Sequence, residues 1–159
     1  MNIKIICIGK LKEKYWNDAV KEYSKRLGGY CKFNVVELKE SKLPSNPSRA
    51  DEINVINKEG NDVINNIKDN DYVITLEIEG KQLDSLEFSK TINKLALTGK
   101  SDIIFVVGGS LGLSDFVKNR ADFRLSFSNM TFPHQMMRVI LLEQIYRSFK
   151  IIRNESYHK

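Results

Sequence analysis

Gly108-Gly109-Ser110-Leu111-Gly112 places three glycines within five residues, directly after the apolar run Asp102–Val107. Glycines so spaced permit positive φ and let a ligand approach the backbone closely. A dinucleotide fingerprint would need G-x-G-x-x-G and an acidic residue about 20 positions further on. That pattern is absent here, as is a phosphate-binding G-K-[ST] loop. The glycine loop therefore suits an uncharged heterocycle or a zwitterion better than a chain of phosphates. Two further segments, Glu77–Lys81 and Ser128–Phe132, also follow strand-like runs. In an open α/β sheet, ligands bind beyond the carboxyl ends of the strands, so the three segments are expected to converge.

The remaining reactive groups lie near the C-terminus. His134 and Arg138 are spaced i,i+4 and share a helix face, and Glu143 and Arg147 have the same spacing and can pair. Arg138 sits amid apolar residues, where a guanidinium needs a carboxylate across an interface or a phosphate on a substrate. His134 is either a structural histidine or a group that does chemistry. The chain ends Ser156-Tyr157-His158-Lys159. With only two histidines and no cysteine near either, no metal site is expected, and no G-x-S-x-G elbow points to a serine nucleophile. Cys7 and Cys31 fall in strand-like apolar runs and read as buried, reduced thiols.

The elements that must position these groups alternate. Strands are predicted at Asn2–Ile8, Cys31–Leu38, Asp71–Ile78, Asp102–Val107 and Phe123–Phe127. Helices are predicted from Glu13 to Leu27, from Arg49 to about Ile67, from a Ser85 cap to about Thr98, from Ser114 or Asp115 to about Asn119, and from a Thr131 cap to Phe149. The alternation argues for a mostly parallel sheet with helices on both faces, in one domain spanning residues 1–159. Asp102–Val107 is apolar without interruption, which suits a central strand buried on both sides. The last helix is apolar on more than one face through Met136, Met137, Val139, Ile140, Leu141, Leu142, Ile145 and Phe149. Such a helix is buried on more than one side, by the domain core or by a partner chain.

Net charge is +5, distributed as +6 over residues 1–50, −4 over 51–100 and +3 over 101–159. Two basic thirds fit a polyanionic partner. No stretch approaches the roughly 18 apolar residues of a membrane span, and MNIKIICIGK turns polar too soon for a signal peptide, so a cytoplasmic protein is expected.

Three stretches carry a resemblance: Leu76-Glu-Ile-Glu-Gly-Lys81, Phe105-Val-Val-Gly-Gly-Ser-Leu-Gly-Leu113, and Leu125-Ser-Phe-Ser-Asn-Met-Thr-Phe-Pro-His-Gln135. Together with Arg138, Leu142-Glu-Gln-Ile-Tyr-Arg147 and the Tyr157-His158 end, the whole chain resembles the RlmH family of the SPOUT superfamily. The resemblance implies a methyltransferase fold with a C-terminal trefoil knot, and S-adenosylmethionine as cofactor. By position the cofactor would be held by Leu76, Gly108 and the segment Phe127, Ser128, Asn129, Met130, Thr131, Phe132. It further implies a homodimer that methylates N3 of the pseudouridine at position 1915 of 23S rRNA in the assembled 70S ribosome. Tyr157, His158, Arg138 and His134 are the candidates to orient the base or take its proton, and Lys4, Lys10, Lys12 and Arg26 are candidate phosphate contacts. The sequence departs from the family pattern at Glu77, often Asp, and at Asn154 and Ser156, often Gly and Pro. A non-catalytic RNA- or ribosome-binding module is the alternative.

Overall fold

The computed structural model describes residues 1–159. In chain order the elements are β1 (Asn2–Ile8), α1 (Lys14–Leu27), β2 (Lys32–Leu38), α2 (Arg49–Ile64), β3 (Tyr72–Gln82), α3 (Ser85–Leu97), β4 (Asp102–Val107), α4 (Asp115–Arg120), β5 (Phe123–Ser126) and α5 (His134–Ile152). The five strands form one sheet in the order β2-β1-β4-β3-β5, and every neighbouring pair is parallel. β4 is therefore the central strand, as its unbroken apolar run requires, and Ile103–Val107 are all buried.

Side chains alternate across the sheet with the period of a strand. Ile3, Ile5 and Cys7 of β1, with Ile103, Phe105 and Val107 of β4, join the larger core beneath α1, α3 and α5. Ile6 and Ile8, with Ile104 and Val106, join the smaller core beneath α2 and α4. Both faces are thus covered, and the expected α/β architecture is present. Because all strands run the same way, their carboxyl ends share one edge, and the loops after β1, β4 and β5 emerge there.

Several boundaries differ from those the sequence suggests. α3 is capped by Asp84 rather than Ser85: Asp84 accepts from the Glu87 N–H, and Glu87 accepts from the Asp84 N–H, a reciprocal capping box. The Ser85 hydroxyl instead hydrogen-bonds Gln144 of α5 at 2.8 Å. α5 begins at His134, with Pro133 in the capping position and no side-chain cap, so Thr131 lies outside the helix. Proline disfavours helical geometry in the residue before it, which keeps Phe132 and Thr131 in the loop. α2 stops at Ile64. Gly60 inside it is not a weakness, since an added Cβ would collide with the Ser114 hydroxyl and lie 2.6 Å from Phe116. The segment Glu77–Lys81 is not a free turn. β3 runs on through it to Gln82, with an irregularity between Leu76 and Lys81 where it pairs with β5. Gly80 permits this, because a Cβ there would lie 2.7–2.8 Å from backbone atoms of Arg124 and Leu125. Both cysteines are free; Cys7 is buried as expected, whereas Cys31, just before β2, is only partly buried.

Candidate functional site

The end of β3, the glycine loop after β4 and the loop between β5 and α5 enclose one cavity of about 720 Å³. Leu76, Gly108, Phe127, Ser128, Met130, Thr131 and Phe132 all line it. Asn129 does not; its side-chain oxygen accepts from Gln82 at 2.9 Å and ties the loop to the end of β3. Within the glycine loop Gly112 has φ +82°, a value L side chains rarely adopt. A Cβ on Gly108 would lie 3.0 Å from the Gly112 carbonyl. The glycines thus keep two backbone segments close together, with the Gly112 N–H donating to the Gly109 carbonyl at 3.1 Å, and line the cavity without side chains. Leu76, Ile78, Leu113, Phe127, Phe132 and Met137 supply apolar walls. Open backbone, apolar walls and a few polar side chains suit a nucleoside-sized zwitterion.

Glu77 is the buried charge of this cavity, and nothing in the sequence singled it out as paired. Its carboxylate forms an ion pair with Arg124 and accepts from the Thr75 hydroxyl at 2.6 Å. Burial acts to raise its pKa, but the hydrogen bonds from Arg124 and Thr75 and the charge of Arg124 outweigh it and hold the carboxyl below its usual range. Glu77 is therefore an ionised anchor and not a proton acceptor.

His134 lines the cavity from the first residue of α5. Arg138, one turn later, does not. Its guanidinium is buried on the side facing β1, with Nη2 donating to the carbonyls of Ile8 and Gly9, each at 2.9 Å, and Nη1 to Glu37 at 2.8 Å. The partners expected across an interface or on a substrate are supplied instead by the ends of β1 and β2. Arg138 is thus absent from the cavity it was expected to serve.

Tyr157 and His158 lie further away. They fold back on the middle of α5, where the Tyr157 hydroxyl donates to Glu143 at 3.2 Å and the Arg147 guanidinium sits 4.7 Å from the Tyr157 ring centroid. Arg147 pairs with Glu143, as the i,i+4 spacing predicts, and contacts His158 Nδ1 at 3.1 Å. A guanidinium only donates, so this contact uses the Nδ1 lone pair and leaves the ring proton on Nε2. Burial, then the Glu143 charge, push the Tyr157 phenol above its ordinary pKa. Asn154 turns the chain into the tail with φ 53°, which asparagine tolerates better than most residues, so its place where glycine is common is no obstacle. Thirteen residues of helix separate His134 from Arg147, about 20 Å at 1.5 Å per residue. Within one chain the tail and the cavity are separate.

Residues 1–158 match a family model described as "Predicted SPOUT methyltransferase". The chain is 58% identical to the ribosomal RNA large subunit methyltransferase H of Clostridium novyi over 159 residues, covering 100% of both chains. It is 55% identical to the protein of the same name from Clostridium botulinum, again with 100% of each covered. Among solved structures, the SpoU methyltransferase AviRb from Streptomyces viridochromogenes aligns with 98% of this chain and 62% of its own, at 9% identity and a TM-score of 0.49.

Proposed function

The chain belongs to the SPOUT methyltransferase family, and on that premise we propose that it transfers a methyl group from S-adenosylmethionine to 23S rRNA. The target is N3 of the pseudouridine at position 1915 in the assembled 70S ribosome, and the working form is a cytoplasmic homodimer. The observation that carries this reading is the single cavity formed where backbone-rich segments after β3, β4 and β5 meet. The cofactor supplies an activated methyl group on a sulfonium.

The protein's part is positioning and exclusion of water. Backbone groups of Gly108–Gly112 and Phe127–Phe132 hold the cofactor, and the apolar walls shield it. Glu77, kept ionised by Arg124 and Thr75, braces the end of β3 along the cavity wall. The N3–H proton of the target base must leave before or during attack. Tyr157 is unsuited to take it, since its phenol is held protonated and its hydroxyl already donates to Glu143. Tyr157 instead fixes the tail, His158 orients the base through a ring hydrogen bond, and the N3 proton passes to the imidazole on the cavity wall, His134.

The stripe Met136, Val139, Ile140, Glu143 and Arg147 follows one face of α5 and is only half-buried. A second protomer packed on that stripe would bring its own tail towards this cavity, so each site would be completed in trans. No helix is long and apolar enough to cross a membrane. The same reading includes a threaded C-terminal segment, which would show as refolding over minutes that a prolyl isomerase does not accelerate.

Intact ribosomes incubated with methyl-labelled cofactor should acquire label at one pseudouridine of 23S rRNA. Absence of label from 23S rRNA would refute the proposed function.

A further inference from the structure

The loop after β1 stands at the same sheet edge as the cavity and carries Lys10 and Lys12, and Lys14 opens α1 directly after it; all three are exposed. None of the three takes part in an ion pair, whereas Arg26, Arg120, Arg124, Arg138, Arg147 and Lys150 all do. Lys4 is also engaged, donating to the Asn66 carbonyl. Of the basic residues suggested by sequence as phosphate contacts, only Lys10 and Lys12 are both free and beside the cavity.

The backbone of this loop is fastened from several sides. Gly9 turns the chain with φ +85°, and its N–H donates to the Leu38 carbonyl at 2.9 Å. The Leu11 N–H donates to Glu37 Oε1 at 3.0 Å, and the Lys12 N–H to Gln135 Oε1 at 3.1 Å. Asn17 donates to the carbonyls of Leu11 and Glu13. Arg138 ties the Ile8 and Gly9 carbonyls to Glu37, its side chain only 3% exposed. Gln135 follows His134, which lines the cavity. A rigid backbone thus carries unpaired, flexible ammonium groups at a fixed position beside the site. Cations kept free of acidic partners at such a place are suited to a polyanion.

We propose that the Lys10–Lys14 segment is the surface that grips the RNA backbone flanking the target base, and that Arg138, Glu37 and Gln135 are positioning residues that hold it in register with α5. The proposal rests on the rRNA reading above. It reassigns Arg138 from the reacting centre to the support of the binding surface. RNA phosphates neutralised by these lysines release counterions, so the loop should account for a defined part of the salt dependence of binding.

The test is sedimentation of the full-length protein with intact ribosomes at several salt concentrations, which needs no turnover. Lys10→Gln/Lys12→Gln should weaken binding about tenfold at moderate salt and lower the slope of log K against log salt by about 1.4, at roughly 0.7 per single-stranded phosphate. The control pair Lys94→Gln/Lys100→Gln, on α3 and at the opposite sheet edge, should leave the slope unchanged. Gln135→Ala should weaken binding several-fold in the wild-type background and add little to Lys10→Gln/Lys12→Gln, because it acts through the loop those lysines occupy. Equal losses from the control pair would overturn the proposal in favour of diffuse charge. Full additivity of Gln135→Ala with the lysine changes would overturn the positioning role. A wild-type protein that binds ribosomes with the loop-dependent slope but labels no 23S rRNA would defeat the methyltransferase reading while leaving the loop's role standing.

Discussion

Glu77 faces the cavity but is committed to Arg124 and Thr75. A carboxyl whose folded pKa lies below its unfolded value contributes stability that is full above the unfolded pKa, about 4.3, and is lost as pH falls through the folded value. Glu77→Gln should therefore destabilise the protein by about 1–3 kcal/mol at pH 7, and the gap to wild type should close as the carboxyl is protonated in acid. Urea unfolding of both proteins from pH 7 down to pH 3 measures this, and a gap constant with pH would refute the assignment. The cysteines give a second check. Burial pushes the Cys7 thiol up to about 12 and the Cys31 thiol to about 11, so neither supplies thiolate at neutral pH. Cys7 should resist a disulfide reagent in the native protein and react promptly in denaturant, while Cys31, partly exposed, should react first of the two.

The capping box at the start of α3 is a feature that spacing nearly revealed. Asp84-x-x-Glu87 was present in the sequence, but Ser85 is an equally good cap by type, and only Ser85's bond to Gln144 removes it from that role. Asp84→Ala should lower stability by about 1 kcal/mol, and Asp84→Asn by much less, as read from urea midpoints. β4 was the most legible element, because a strand buried on both faces shows as an unbroken apolar run. The three cavity segments were legible too, since glycines and short polar stretches after strands mark the carboxyl edge. The start of α5 was not, because Pro133 holds the preceding residues extended and they serve the cavity wall. Nor was Arg138: its partners Ile8 and Gly9 are about 130 positions away in the chain, and no local pattern encodes a contact of that separation. The exposed end of β3 looked like a turn because Glu79-Gly80-Lys81 has turn composition. There the glycine answers a close approach by β5, which is a tertiary demand.

For the whole molecule, the distance between tail and cavity decides what must assemble. If the tail completes the site of a second protomer, truncation before Tyr157 should preserve the fold and cofactor binding yet lower the methylation rate by about 10²-fold or more. Gly108→Val should fail for a different reason, since its side chain would press on Gly112. Mixed dimers of the two defective chains should regain activity that neither has alone. Mixtures that stay inactive after subunit exchange would exclude completion in trans. The 19-residue α5 then acts as a measuring rod between the two ends of the machinery. Inserting or deleting one residue within it would swing the tail by about 100° and shift it by about 1.5 Å. Apolar exchanges of similar volume among Met136, Val139 and Ile140 can be absorbed by local repacking, but a change in helix length cannot. The helix is thereby a stretch where the chain can drift in spelling while its letter count stays fixed.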